Sequence, residues 1–197
     1  MKLTRKSRTI ALGMAIGDGT INKNGYLAIR HSEEQKEYLE WKRLLLKKNG
    51  FNCSEIYYHN NNNYGAYEFR TMNNKAFLSL RKALYKNSKK ILTLKTLNRL
   101  TPLEIAIWYM DDGSISTDSR RSVLTISTCI TKEENQIIID YFKEKWGIAF
   151  GQRKMKNSYA LICGTKEARK FVELVKPYVN EVECMKYKLN VKPLKSN

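Results

Sequence analysis

The 197-residue sequence has few acidic residues, few cysteines and no long apolar run, and each shortage excludes a class of protein. Its 19 Asp and Glu residues are outnumbered by 36 Lys and Arg residues, which leaves a formal net charge of +17. A surplus of this size attracts polyanions, so nucleic acid is the expected partner. The basic residues are spread over both halves of the chain rather than gathered on one amphipathic helix, which disfavours an anionic membrane surface.

The four cysteines (Cys53, Cys129, Cys163 and Cys184) have neither C-x-x-C spacing nor a neighbouring histidine, which argues against a zinc site. We expect free thiols of an intracellular protein. No apolar segment of signal-peptide type follows the basic N-terminus, and no apolar run approaches the roughly 18 residues of a membrane span. The expected compartment is the cytoplasm of a bacterium or a phage-infected cell, or an organelle matrix.

One apolar pattern occurs twice in the chain. It runs from Ala11 to Ile21 (ALGMAIGDGTI) and again from Ile105 to Ile115 (IAIWYMDDGSI). Each copy ends in an acidic residue, a glycine, a small hydroxyl residue and an isoleucine, and similar patterns follow both copies in the same order. We therefore interpret the chain as two diverged copies of one unit.

Local signals predict the order α-β-β-α-β-β-α in each half, an α+β fold. Lys23-Asn24-Gly25 is typical of a hairpin turn. The S-x-x-Q stretch that begins at Ser32 and the T-x-x-E stretches that begin at Thr101 and Thr131 are capping boxes that predict helix starts. Gly147 is expected to close the helix that Thr131 opens.

Two glycines in the first motif predict close packing of helices. Gly13 and Gly17 lie one helical turn apart and leave a strip without side chains, although each glycine inside a helix costs about 1 kcal/mol relative to alanine. We expect a half-domain at residues 1–91 and another at residues 101–197, joined by a linker at residues 92–100. The two motif helices should pack together between them.

The acids Asp18 and Asp112 close their helices at the negative end of the helix dipole, where a carboxylate is disfavoured. Packing the two helices together also brings the acids near each other, and like charges repel. A divalent cation between them would relieve both costs, and hard oxygen ligands with open water positions suit Mg²⁺. In a basic protein this arrangement predicts phosphodiester cleavage. The alternative is that Asp-Gly is only a turn signal. This would readily explain a single Asp-Gly, but it explains less well why two of them stand at matching points of the duplication.

Both copies resemble the nine-residue motif of LAGLIDADG homing endonucleases. The matching positions are Gly13, Asp18 and Gly19 in the first copy and Ala106, Asp112 and Gly113 in the second. Ile107 stands where the family pattern has glycine. The phrase LTPLEIAIWYMDDG and the late MKYKL are similar to the single-chain, two-motif branch of this family.

The resemblance implies two pseudo-symmetric αββαββα half-domains whose antiparallel, saddle-shaped sheets cover double-stranded DNA, with the motif helices as the central interface. It implies a monomer that needs no protein partner and cuts both strands of a long asymmetric target across the minor groove, leaving 3′ overhangs. Mg²⁺ would be the cofactor, and Mn²⁺ or Ca²⁺ could replace it for binding.

The resemblance also assigns roles to residues. Asp18 and Asp112 would be catalytic and bind the metal, with Gly17 beside them and Asp111 in a supporting part of the metal site. One basic residue per half would assist, and the lysine before the aliphatic residue that closes each repeat fits this role. These lysines are Lys90, or Lys89 after a slip of one residue, and Lys188.

DNA contacts are expected from polar residues that alternate along the hairpins, which can lie in the major groove as β-ribbons. Taken singly, each is more often a phosphate contact or a solvated side chain than a base reader. The candidates are Lys23, Asn24, Tyr26, Arg30, Asn60, Asn62, Tyr67, Arg70, Ser116, Arg120, Arg121, Thr125, Gln152, Arg153, Lys154 and Lys156. His31 and His59 are expected to be ordinary surface or hairpin residues.

An intron RNA maturase or a non-cleaving DNA-binding regulator on the same fold is the alternative function. The presence of both acids favours the enzyme, because a pure binder has no need of them. The two activities can coexist in this family, which leaves intron RNA open as a second partner. An intein remnant is disfavoured, because no splicing-domain length flanks the two halves.

Overall fold

The computed structural model describes residues 3–61, 64–119 and 121–193 and contains one arrangement twice. The first copy comprises α1 (Arg5–Ile16), β1 (Thr20–Ile21), β2 (Leu27–His31), a 3₁₀ turn (Glu33–Gln35), α2 (Lys36–Lys48), β3 (Tyr57–Asn61), β4 (Tyr64–Arg70) and α3 (Lys75–Leu84). A small hairpin of β5 (Tyr85–Lys86) and β6 (Lys89–Lys90) follows, and then the short helix α4 (Leu94–Leu97). The second copy comprises α5 (Pro102–Asp112), β7 (Gly113–Thr117), β8 (Ser122–Ile130), α6 (Lys132–Trp146), β9 (Gly151–Lys154), β10 (Tyr159–Gly164), α7 (Thr165–Val179) and a 3₁₀ segment (Glu183–Leu189).

The two copies form equivalent antiparallel sheets, with strand orders β1-β2-β4-β3 and β7-β8-β10-β9. In both sheets the two middle strands belong to different hairpins and hydrogen-bond to each other. One side of each sheet is apolar and packs on the helices, as Ile29 and Phe69 do in the first sheet and Ile126 and Leu161 in the second. The predicted α+β fold and the predicted duplication are confirmed.

Most of the helix starts follow the sequence signals. Thr101 with Glu104 and Thr131 with Glu134 form capping boxes, and Gly147 ends α6 in the left-handed region at φ +62°. The capping box predicted at Ser32 is wrong, because its side chain caps no helix and a 3₁₀ turn precedes α2. Gln35 was expected to complete that box, and its Oε1 instead lies 2.9 Å from His31 Nδ1.

The centre of the molecule is the contact between α1 and α5. A Cβ atom on Gly13 would lie 2.7 Å from Cβ and Cγ of Glu104, too close for any residue but glycine. The predicted bare strip is therefore the surface through which the motif helices meet. Tyr38 on α2 adds a hydrogen bond between the halves, because its hydroxyl donates to the carbonyl of Ile107 at 3.1 Å.

The stretch expected to be a linker, residues 92–100, contains α4, which Thr93 opens with a capping box. Leu97 and Leu100 in this stretch are buried in the common core. The boundaries of the two half-domains stay a prediction. Within the described ranges, no helix combines the length and the apolarity needed to cross a lipid bilayer.

Candidate active site between the two motif helices

The C-terminal ends of α1 and α5 open into one cleft of about 1250 Å³. Asp18, two positions after the last residue of α1, and Asp112, the last residue of α5, both line it. The cleft is also lined by six lysines, namely Lys86, Lys89, Lys90, Lys132, Lys154 and Lys156. Glu133 and Glu134 at the start of α6 also line it, so the six lysines outnumber four acids, and the duplication has placed one motif acid from each half in this basic cleft.

A lysine from each half holds the end of its own motif helix. Lys90 Nζ donates to the carbonyl of Gly17 and lies 3.5 Å from that of Ile16. Lys188 Nζ donates to the carbonyls of Met110 and, at 2.8 Å, Gly113. Carbonyls at a helix C-terminus lack partners within the helix and carry partial negative charge, so a lysine there satisfies both needs.

The two motif acids of the cleft, Asp18 and Asp112, resist ionisation. Burial, together with the neighbouring charges of Asp111 and Asp18, raises the pKa of Asp112 from 3.8 to about 7. Burial and Asp111 likewise raise the pKa of Asp18, against the opposing influence of Lys42 and Lys90. These groups crowd negative charge in a partly desolvated place, a condition that binding of a cation relieves.

A buried ionic cluster of His31, Lys42 and Asp111 lies behind Asp18. The Asp111 side chain is fully buried, and its Oδ1 accepts a hydrogen bond from Lys42 Nζ at 2.5 Å. Its Oδ2 accepts the backbone N–H of Asp18 at 3.0 Å. Asp111, from the second half, therefore fixes the backbone of the acid of the first half.

His31 completes this cluster as a neutral ring. Burial and the charge of Lys42 lower its pKa to about 4. Its Nε2 lies 3.0 Å from Lys42 Nζ, which can only donate, so Nε2 accepts and the ring proton is on Nδ1. Nδ1 then donates to Gln35 Oε1 at 2.9 Å and lies 3.7 Å from Asp18 Oδ2.

The expectation that His31 is a surface residue is wrong, and Lys42 was missed. His31 is 5% exposed, because strand alternation places it on the same side of β2 as the buried Leu27 and Ile29. Lys42 lies four residues after Tyr38 and four before Leu46, on the buried side of α2. Once β2 and α2 are assigned, their periodicity indicates that His31 and Lys42 both lie on the buried side.

Gly17 makes room for the Asp111 carboxylate, since a Cβ atom there would overlap Oδ2. We expect Gly17→Ala to lower the free energy of unfolding by about 1–3 kcal/mol, as overpacking of a core typically does. Urea denaturation measures this. Gly151→Ala is the matched control, because the nearest atom to its added Cβ would be 3.8 Å away. Equal stability of the two variants would contradict the close fit between Gly17 and Asp111.

The candidate DNA contacts fall into several groups. Lys154 and Lys156 line the cleft, and Lys23, Asn24, Ser116, Arg121 and Arg153 are exposed. Thr125 is buried on β8, and the Arg70 guanidinium lies 5.6 Å from the ring centroid of Tyr26. Asn62, Arg120 and the side chain of Asn60 lie outside the described residues.

Two candidates lie on the helix-facing side of their sheets, and for them the alternation was misread. Tyr67 is the register partner of His31 and packs against the core. Gln152 is the register partner of the buried Leu161, and its Oε1 is itself buried. Arg30, Arg70 and Arg153, by contrast, each lie next to a residue of the helix-facing side. Their side chains are therefore on the other side of the sheet, away from the helices.

The chain is similar to known DNA endonucleases in sequence and in fold. The model of the LAGLIDADG DNA endonuclease family matches residues 8–171. The probable intron-encoded DNA endonuclease 3 of Mycosarcoma maydis is 33% identical over 63% of this chain and 93% of that protein. Protein RecA of Mycobacterium shimoidei is 30% identical over 91% of this chain, and the chain spans only about half of that relative's length (45%).

Among solved structures, the homing endonuclease I-WcaI bound to its DNA recognition sequence has the same fold. It superposes with a TM-score of 0.81 and 24% identity over 98% of this chain and 89% of that chain. The family match covers both motif helices and both sheets. With its two motif helices, their paired acids and this match, the chain belongs to the LAGLIDADG DNA endonuclease family.

Proposed function

We propose that this chain is a homing endonuclease that cuts both strands of a long, asymmetric DNA site across the minor groove, as a monomer, and leaves 3′ overhangs. The observation that carries the proposal is the single cleft lined by one acid from each motif helix and by six lysines. A cleft of this kind matches a substrate whose two phosphodiesters, one per strand, are each negatively charged.

The donor groups fit Mg²⁺. Asp18 and Asp112 offer hard carboxylate oxygens in a cleft that is open to water, and the raised pKa of Asp112, to about 7, marks the charge crowding that a divalent cation relieves. Once bound, the ion would supply an activated water and stabilise the leaving oxygen. Mn²⁺ or Ca²⁺ should replace it for binding. The Gly17 carbonyl retains a lone pair for the same ion, because Lys90 uses one of two.

Other residues hold the site in shape and supply positive charge. Lys90 and Lys188 fix the helix ends that carry the acids and place positive charge near the position where a phosphate would lie. The Asp111 side chain is fully buried and bonded to Lys42 and to the backbone of Asp18, so we propose that its main role is to position Asp18.

Selection of a cleaved sequence tests the proposal. Purified protein is incubated with Mg²⁺ and a randomised duplex library of roughly 25 base pairs, beside the Asp18→Asn/Asp112→Asn double variant. We expect the wild type alone to yield cut ends, and those ends to share one long, weakly palindromic sequence. Salt-sensitive binding by both proteins without cut ends would contradict the enzyme and favour a maturase or a DNA-binding regulator.

Replacing one lysine tests the proposed role of the basic residues. We expect Lys90→Met to slow cleavage about 10- to 100-fold, because the charge at the helix end is lost while the surface that holds DNA is kept. Single-turnover cleavage and filter binding measure the two effects. Lys82→Met is the matched control, since Lys82 is an exposed lysine of α3 outside the cleft, and Lys89→Met tests the assignment shifted by one residue. A larger effect at Lys89 would reassign the role by one residue.

A further inference from the structure

The outward side of the first sheet, away from the helices, carries a buried acid beneath two arginines. The register aligns Arg30 on β2, Glu68 on β4 and Tyr57 on β3 in one row, and Arg70 lies two residues further along β4 on the same side. The side chains of Arg30 and Arg70 are 44% and 46% exposed, whereas that of Glu68 is only 3% exposed. If this side of the sheet binds an anionic ligand, the Glu68 carboxylate repels that ligand and weakens binding. Its presence there therefore calls for another role.

Every contact of Glu68 orients a neighbour. Arg30 donates to Oε2 through Nε at 2.9 Å and through Nη2 at 2.5 Å. Arg70 donates to Oε1 through Nε at 2.6 Å, and the Tyr57 hydroxyl donates to the same oxygen. Burial alone would raise the pKa of Glu68, but the hydrogen bonds from Tyr57, Arg30 and Arg70 lower it, so the carboxylate stays ionised and both guanidinium groups are held in place.

Both arginines keep guanidinium donors for a ligand. Within the described part of the chain, Arg30 uses Nε and one Nη2 proton for Glu68, which leaves Nη1 and the second Nη2 proton. Among the hydrogen bonds formed within the described residues, Arg70 contributes only Nε, so Nη1 and Nη2 remain as a planar pair of donors. The rings of Tyr26 and Tyr57 flank this guanidinium, with centroids 5.6 and 5.9 Å from Cζ. A phosphate accepts a guanidinium group or a lysine from many directions, whereas the edge of one base accepts paired donors only in the plane of that base.

We propose that Glu68 is a positioning residue that directs Arg30 and Arg70 at guanine bases in the major groove of the half-site that the first half of the chain binds. A planar pair of guanidinium donors matches O6 and N7 of guanine. Because both arginines contact one carboxylate and base pairs stack about 3.4 Å apart, the two guanines lie within about two base pairs of each other. The inference rests on the proposed function and adds base identity to it.

Binding selection with Ca²⁺ and the randomised duplex tests this without cleavage. The wild type should recover two guanines within about two base pairs in one half-site. Arg30→Lys and Arg70→Lys keep the charge but lose the paired donors, so each should lose the preference at one guanine by about tenfold or more. Glu68→Gln should weaken the preference at both guanines and leave the other half-site unchanged. Glu55→Gln is the control, because the Glu55 side chain, paired with Arg43, is 85% exposed.

The outcomes separate this inference from the proposed function. If the variants lose affinity equally for all sequences while every base preference persists, the arginines contact phosphates and the inference is overturned. If the wild type selects no sequence in either half-site, the proposed function fails first. Should Glu68→Gln not fold, as judged by circular dichroism, Tyr57→Phe tests the positioning role. It removes one hydrogen bond to Glu68 and should weaken the preference at both guanines, whereas unchanged preferences would contradict that role.

Discussion

Asp112→Asn is expected to abolish double-strand cleavage, by about a thousandfold or more, while leaving DNA binding largely intact. The substitution keeps the shape of the side chain and removes the charge that we propose holds the metal. Asp18→Asn should behave in the same way, because both acids line one cleft. Cleavage of the selected duplex under single-turnover conditions, with binding measured in Ca²⁺, gives both quantities. Wild-type cleavage by either variant would remove that acid from the catalytic assignment.

The same substitution should stabilise the metal-free protein at pH 8. The pKa of Asp112 is raised from 3.8 to about 7, so the folded state resists its ionisation. For an acid with a raised pKa, this destabilisation is absent below about pH 4, grows as the pH rises, and is complete above about pH 7. Asparagine never ionises, so we expect the free energy of unfolding to rise by at least about 1 kcal/mol at pH 8 and to change little at pH 4.

Chelator-treated protein and urea denaturation at the two pH values measure this effect. Asp140→Asn is a suitable control, because Asp140 is an exposed residue of α6 that lies away from the cleft. Mg²⁺ should stabilise the wild type more at pH 8 than at pH 6, since protons compete with the metal for the carboxylates. A variant that is less stable than the wild type at pH 8 would contradict the raised pKa of Asp112 that burial and the neighbouring acids cause.

Lys42→Ala is expected to have the largest effect on stability. Lys42 and the Asp111 side chain are both fully buried, 2.5 Å apart. Removing one partner of a buried ion pair leaves an uncompensated charge and costs about 3–5 kcal/mol. The freed Asp111 carboxylate also lies against the backbone of Asp18, so cleavage should fall in the fraction that remains folded.

A double-mutant cycle separates the charge from the packing. Lys42→Met/Asp111→Ala leaves no unpaired charge and should be less destabilised than the sum of its single variants. Lys47→Ala, an exposed lysine of the same helix, should change the free energy of unfolding by less than about 0.5 kcal/mol. If Lys42→Ala is as stable as Lys47→Ala, the buried ionic cluster does not support the fold.

The features that sequence predicted are those that depend on neighbouring residues or on repetition. The capping boxes at Thr101 and Thr131 are local, and the glycine strip on α1 follows from a spacing of four. The paired acids were found because the motif occurs twice. These signals were enough for the element order, the central interface and the acidic centre.

The features that could not be predicted from the sequence are contacts between distant parts of the chain. Lys42 and Asp111 are 69 positions apart, and nothing near either residue announces the ion pair. Tyr67 and Gln152 were assigned to the DNA-facing side because alternation alone does not say which set faces the core, and a shift of one residue reverses the answer. Glu68 went unnoticed because an acid has no evident place on a basic surface until its two arginine partners are seen.

The proposed function requires one chain to hold both halves of a two-strand nuclease site. The most direct measurement is single-turnover cleavage of the selected duplex in Mg²⁺, with each strand labelled separately and the protein concentration varied above saturation. Both strands should be cut, with staggered 3′ ends, at a rate that no longer depends on protein concentration. Cleavage of one strand only, or a rate that keeps rising with the square of the protein concentration, would contradict it.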